Sequence, residues 1–90
     1  MAASLKLRRV LTMEEDEDHL LLDAFSRVLR RRRTEAGLSQ EELAHLAGKS
    51  IRYISLLESR KHQPSLATFK RICVGLGVSM TDFMAEIESQ

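Results

Sequence analysis

Residues 39–58 read SQEELAHLAGKSIRYISLLE, which is two short amphipathic segments separated by a glycine. Ser39 followed three residues later by Glu42 is a capping box, so a helix is predicted to begin here. Gly48 ends this helix, and Ser50 is placed to cap the next one. A short turn containing glycine between two short helices is typical of a helix-turn-helix. On spacing alone, an ordinary helical hairpin is an equally good interpretation.

Helical patterns continue on both sides of this stretch. From His19 to Gly37, apolar residues recur at three- and four-residue steps. Downstream, Ser65 and Ser79 each precede another helical pattern as capping hydroxyls. The sequence therefore predicts an all-α domain of five helices over residues 19–90, with the helix-turn-helix at helices two and three.

The first 18 residues are predicted to be an N-terminal extension. Residues 14–18 read EEDED, and such an acidic run is a solvated segment by default. We expect residues 1–18 to be flexible and disordered, with a short strand as the alternative. The remaining 72 residues, 19–90, carry 11 Lys and Arg against 8 Asp and Glu, a net charge of +3. A mildly basic domain suits a nucleic-acid binder, although this charge is also ordinary for a soluble domain.

Composition argues against several classes of function. Ninety residues allow one domain with a modest core rather than an internal catalytic cavity. Cys73 is the single cysteine, and the three histidines lack metal-ligand spacing, so we expect no enzyme activity, metal or cofactor. No small-molecule ligand is evident. No apolar run approaches the roughly 20 residues needed to span a bilayer. We therefore expect a cytoplasmic protein without membrane association.

The motif residues resemble the phage-repressor type of helix-turn-helix, the lambda repressor family. This family includes restriction-modification controller proteins and many bacterial regulators. The similarity covers residues 24–87 and implies sequence-specific binding of double-stranded DNA by a transcriptional regulator, either a repressor or an autoregulator. The matching residues are 37–44, 47, 48, 50, 53–55, 57, 58, 64–66 and 76–79.

The resemblance implies that residues 51–59 form the recognition helix in the major groove, while the preceding helix crosses the phosphate backbone. Helical geometry agrees, because turning Ile54 and Leu57 inward places Arg52 on the outward side. Arg52 is expected to present its guanidinium to a guanine, with a phosphate contact as the alternative. The side chains predicted to read bases are Ile51, Arg52, Ser55 and Leu56.

Phosphate contacts are predicted around this helix. Gln40 matches the family position that bonds a phosphate and braces the recognition helix. Lys49 departs from the family pattern, which usually has an apolar residue there, so the turn is looser or the lysine binds phosphate. For Arg60 and Lys61, a solvated loop is an equally good interpretation. The predicted set is Gln40, Lys49, Ser50, Tyr53, Ser59, Arg60 and Lys61.

Two features of helix one also follow from the resemblance. Arg33 matches a residue that pairs with Glu58, and we interpret this pair as structural support. Because Glu58 shares the inner face with Ile54, its carboxylate needs a partner. Arg32 stands where the family commonly has an apolar residue, and it extends an arginine run at residues 30–33. We expect this run to be a solvated surface, with contact to the DNA backbone as the alternative.

Helix five carries an apolar stripe at positions i, i+3, i+4 and i+7. The family match places Phe83 in the core. Met80, Met84 and Ile87 are then predicted to form a homodimer interface, and the dimer binds a palindromic operator. The alternative is that Leu5, Leu7 and Leu11 of the extension fold back over them.

A second class of function remains open, a protein–protein interaction module of the antitoxin or adaptor type that uses the same fold. Salt separates the two hypotheses, because binding through several phosphates weakens steeply as salt is added.

Overall fold

In this computed structural model, the backbone is described for residues 2–90 and the side chains for residues 17–90. This part of the chain contains five α-helices and no strand, which confirms the predicted all-α class. The helices are α1 (Ala2–Glu35), α2 (Gln40–Ala47), α3 (Ile51–Glu58), α4 (Leu66–Leu76) and α5 (Met80–Glu88).

Helix α1 differs from the expectation for residues 1–18. Its helical backbone begins at Ala2, where disorder or a short strand was expected. The physical reason is that no Gly or Pro precedes Gly37, and the acidic run contains glutamate, a strong helix former. The division into an extension and a domain at residue 18 stays a prediction. The side chains of Leu5, Leu7 and Leu11, the alternative cover for helix five, lie outside the described residues.

Serine hydroxyls start four of the helices, as predicted. The Glu42 N–H donates to Ser39 Oγ at 3.0 Å, and the Ser39 N–H donates to the Glu42 carboxylate at 2.9 Å. The capping box is therefore confirmed, and the hydrogen bond from the Ser39 N–H is the main reason that the pKa of the Glu42 carboxyl is lowered. Ser50, Ser65 and Ser79 each accept from the N–H three residues further on. Each of these four helices therefore begins at a serine whose side chain satisfies a backbone N–H of its first turn.

One face of each helix contributes to the core, in which α2 packs against α3 and α4, and α1 packs against α3 and α5. Three phenylalanine rings, of Phe25, Phe69 and Phe83, meet with centroids 5.0–6.1 Å apart. Phe83 is fully buried, which confirms its expected place. The other buried apolar side chains are Ala24, Val28, Leu29, Leu43, Ala44, Ala47, Ile54, Leu57, Ile72, Cys73 and Ile87.

The arginine run at residues 30–33 is not simply the solvated surface that the sequence predicts. Arg31 Nη2 lies 2.9 Å from Glu86 Oε1, and Arg32 Nε lies 2.7 Å from Glu86 Oε2. The hydrogen bond from Arg32 is the main reason that the pKa of Glu86 is lowered. The unusual arginine at position 32 therefore ties α1 to α5 through an ion pair.

Candidate nucleic-acid interface

The turn between α2 and α3 consists of residues 48–50. Gly48 adopts a left-handed conformation with φ of +67°, and the Lys49 N–H donates to the Ala44 carbonyl at 2.8 Å. A Cβ atom at Gly48 meets no atom within 4 Å, so the backbone conformation, and not lack of space, favours glycine here. This tight turn sends α3 across α2 with Ile54 and Leu57 fully buried.

The outward face of α3 carries most of the residues predicted to read bases. Arg52 and Ser55 are exposed, and Ile51 is 52% exposed although it is a large apolar residue. Leu56 is half-buried and lies at the edge of this face. The buried inner face fixes the helix, so the outward side chains project from a rigid support.

The segment around α3 is rich in positive charge. Between residues 48 and 63 the cations are Lys49, Arg52, Arg60 and Lys61, and the single carboxylate is that of Glu58. Glu58 does not reduce the positive charge of the outward face, because its side chain is only 5% exposed and is bound to Arg33.

Arg33 and Glu58 connect α1 to the end of α3. Arg33 Nε donates to Glu58 Oε2 at 2.6 Å, and Arg33 Nη2 donates to Glu58 Oε1 at 3.0 Å. Gln40 Nε2 donates to the same Oε1 at 3.1 Å, so the first residue of α2 joins the pair. Arg33 Nη1 also donates to the Leu38 carbonyl at 2.8 Å. We call Arg33, Gln40 and Glu58 the brace.

Gln40 therefore has a structural bond as well as its predicted phosphate contact. An amide nitrogen carries two hydrogens, so the bond to Glu58 leaves a second donor for a phosphate. The hydrogen bond to Glu58 agrees with the expectation that Gln40 braces the recognition helix. The phosphate contact by Gln40 stays a prediction.

Arg60 is directed towards α1. Arg60 Nη1 lies 2.8 Å from Asp23 Oδ1, and Asp23 also pairs with Arg27 at 3.0 Å. Arg60 follows the last turn of α3 and has a φ of +65°. This left-handed conformation is unusual for a residue other than glycine. Because only Nη1 contacts Asp23, the other guanidinium N–H groups of Arg60 remain as donors for the predicted phosphate contact. Neither this conformation nor its partner 37 residues away has a signal in the sequence.

The remaining predicted phosphate contacts lie at the two ends of α3. Ser50 Oγ accepts from the Tyr53 N–H at 3.1 Å, which leaves its own hydrogen free to donate. Ser59 Oγ donates to the Leu56 carbonyl at 3.2 Å. Lys61 is exposed.

Tyr53 lies between two further groups. Lys49 Nζ stands over its ring, 5.1 Å from the centroid. The His62 ring packs against it edge-on, with centroids 5.2 Å apart and planes at 82°. Sequence reasoning did not select His62, since a lone histidine in a polar loop carries no motif.

The predicted dimer residues are not equally available. Ile87 is 6% exposed, so its own chain covers it, contrary to the expectation for the α5 stripe. Met80 is half-buried and packs against the core, whereas Met84 is 40% exposed. Helix α5 packs against α1 and α4, and Ile87 belongs to the core that these helices share.

An exposed apolar surface includes Met84 and two leucines of other helices. Leu21 of α1 is 50% exposed and Leu66 of α4 is 76% exposed. These three side chains surround a groove of about 250 Å³ with Phe69 and Ile87 among its lining residues. We call Leu21, Leu66 and Met84 the apolar rim.

Other kinds of site find no support in the described residues. None of their His, Cys, Asp and Glu side chains gather in threes as a metal ion would need. Cys73 is buried, as expected, and burial raises the pKa of its thiol to about 11. Over the same part of the chain, no helix combines the length and apolar character that crossing a membrane demands.

The glycine turn, the brace and the positively charged outward face of α3 define a helix-turn-helix DNA-binding protein. The sequence model of the Helix-turn-helix family matches residues 29–83, more than half of the chain. The chain belongs to this family. The family resemblance stated from the sequence is therefore confirmed. No curated protein sequence matches the chain.

Solved structures show the same fold. The clp gene regulator ClgR from Corynebacterium glutamicum is similar with a TM-score of 0.73 and 30% identity, over 77% of this chain and 88% of that one. The wild-type restriction-modification controller protein C.Esp1396I gives 0.71 and 30%, over 77% and 88%. The controller protein C.AhdI from Aeromonas hydrophila gives 0.67 and 32%, over 69% and 94%.

Proposed function

We propose that this protein binds double-stranded DNA sequence-specifically and regulates transcription, as a repressor or autoregulator. One observation carries the proposal: α3 presents the exposed side chains of Ile51, Arg52 and Ser55 from a fully buried inner face. An α-helix held this way fits the major groove, which displays a distinct pattern for each base pair. A cytoplasmic location is part of the same proposal.

Each outward residue of α3 has a chemical role in this proposal. Arg52 donates two parallel hydrogen bonds to guanine O6 and N7, and Ser55 donates to or accepts from a base edge. Ile51 contacts a thymine methyl group. This contact explains why a large apolar side chain is exposed to solvent in the protein without DNA. Leu56, half-buried at the edge, makes a second apolar contact of this kind.

The polar residues at the ends of the two helices bind the DNA backbone. Backbone contacts fix the orientation of a protein on the duplex without reading sequence. Gln40 links the two tasks, because its amide joins the brace and it is the first residue of α2, whose N-terminus favours an anion. The proposed phosphate contacts are Gln40, Lys49, Ser50, Tyr53, Ser59, Arg60 and Lys61.

We place a homodimer on α5, with the apolar rim as its centre. One helix-turn-helix covers about half a turn of DNA, so a two-fold partner is needed for tight specific binding. Met84 belongs to this surface, and Met80 borders it. Ile87 supports the groove from beneath. The dimer binds a palindrome with half-sites about 34 Å apart.

The test is selection of bound duplexes from a random-sequence library, followed by titration of the enriched duplex at several salt concentrations. We expect log K to fall linearly with log salt, with a slope of about −0.9 for each phosphate neutralised. Lys61→Ala should reduce the slope by about one unit. The matched control is Lys70→Ala, which removes a lysine from α4. This variant should leave the salt slope unchanged.

Two results would contradict the proposal. Selection that enriches no sequence would exclude sequence-specific binding. Failure to bind any duplex, together with a protein partner held equally well at low and high salt, would favour the antitoxin or adaptor type of module.

A further inference from the structure

His62 lies in a loop, yet its side chain packs against a residue of α3. It belongs to the segment between α3 and α4, which has no regular structure, and it is exposed to solvent. Its ring nevertheless stands edge-on against Tyr53, at a centroid distance of 5.2 Å. Edge-to-face packing of this kind orients a ring that would otherwise rotate freely.

Lys49 reaches the same tyrosine from the other end of α3. Its ammonium group lies over the Tyr53 ring, and Tyr53 itself packs against the core. One half-buried ring thus holds together a residue of the glycine turn and a residue of the following loop. The three side chains lie within residues 49–62, and α3 with the turn before it and the loop after it brings them together.

The positive charge of Lys49 is not neutralised by another described side chain. Among residues 17–90, no carboxylate oxygen lies within 4.0 Å of a nitrogen of Lys49 or His62. Arg33 and Arg60, which flank the same helix, are both bound to carboxylates. The cluster is therefore a place near α3 where donors are oriented but lack an anionic partner.

We propose that Lys49, Tyr53 and His62 form a cradle for one backbone phosphate, to which His62 donates a ring N–H. This inference rests on the proposed function and adds His62 to the DNA contacts. The Lys49 ammonium supplies a point charge, and the Tyr53 hydroxyl and the imidazole supply directed donors. Because Tyr53 already orients its neighbours, little side-chain freedom is lost when the phosphate binds.

The decisive variant is His62→Phe, which keeps a ring packed on Tyr53 but removes both ring nitrogens. It should weaken binding by about tenfold on cognate and random duplexes alike, as the loss of one hydrogen bond to a charged acceptor does. His19→Phe makes the same exchange on α1 and should leave the affinity unchanged. If His62→Phe alters the unfolding midpoint, His62→Ala is the second variant, with the same loss of affinity expected.

A double-mutant cycle tests whether one phosphate is shared. Lys49→Met and His62→Phe should together weaken binding by less than the product of their separate effects, because the second substitution acts on a contact already impaired. Effects that multiply fully would place the two residues on different phosphates and overturn the cradle. Wild-type affinity in His62→Phe would overturn it as well. A wild-type protein that binds no duplex would instead refute the proposed function itself.

Discussion

Arg33 and Glu58 form a two-bond ion pair between α1 and the end of α3, with N···O distances of 2.6 and 3.0 Å. The Arg33 and Glu58 side chains are only 11% and 5% exposed. Because Gln40 donates to the same carboxylate, the pair sets the position of α3 relative to α2. Support of the fold and presentation of the outward face of α3 therefore depend on one buried carboxylate.

The first prediction concerns this brace. Arg33→Ala leaves the Glu58 carboxylate buried with fewer donors, so the free energy of unfolding should fall by about 1–3 kcal/mol. DNA binding should weaken in the same variant, because α3 is no longer held against α1. Chemical denaturation and duplex titration measure the two effects.

Arg31→Ala is the matched control, since Arg31 is 45% exposed and its pair with Glu86 is solvated. Surface pairs contribute about 0–1 kcal/mol, so this variant should be close to wild type. Equal stability of Arg33→Ala and wild type would contradict the role of the brace.

A second prediction concerns the turn at Gly48. Gly48→Ala forces a Cβ atom into the left-handed region, which costs about 1–2 kcal/mol. Gly48→Asn should lose less, because asparagine tolerates this conformation. Thermal unfolding of wild type, Gly48→Asn and Gly48→Ala should give melting temperatures that fall in that order. Identical losses for Ala and Asn would mean that backbone strain is not the cause.

The serine caps and the turn glycines were predictable from sequence because each depends on neighbours within three or four residues. The partners of Arg31 and Arg32 were not, since Glu86 lies 55 and 54 residues away. The burial of Ile87 was missed for the same reason, as it depends on how α5 docks. Arg33 and Glu58 were identified as a pair only through the family resemblance, and His62 carried no signal at all.

Acid should weaken the fold through Glu42 and Glu86. Hydrogen bonds from Ser39 and Arg32 lower the folded-state pKa of these carboxyls below the ordinary value of 4.5. A depressed pKa means that their stabilising effect is fully present above that value and is lost as the pH falls through the folded-state pKa. We therefore expect the unfolding midpoint to drop below about pH 4.5.

Glu86→Gln should show a smaller drop between pH 5 and pH 3 than wild type does. Glu88→Gln, a solvent-exposed neighbour on α5, should follow the wild-type curve. A Glu86→Gln curve that overlays wild type would show that the Arg32 bond contributes nothing to acid sensitivity.

A further prediction concerns assembly through the apolar rim. Met84→Glu puts a charge on the exposed part of this surface, so it should convert the proposed dimer to a monomer and weaken binding to the palindrome. Val74→Glu is the control, because Val74 is 71% exposed on α4 and does not line the groove. Analytical ultracentrifugation measures both. A wild-type monomer, or a Met84→Glu protein that remains dimeric, would rule out this interface.

The most direct test of the whole account is methylation interference on the selected duplex, with wild type and Arg52→Ala compared. Methylation of guanine N7 blocks the major groove, so binding of wild type should be lost at one guanine in each half-site. Arg52→Ala should lose about 1–3 kcal/mol on this duplex and become insensitive at that guanine. No interference at any guanine N7, or equal losses by Arg52→Ala on selected and random duplexes, would contradict base reading by α3.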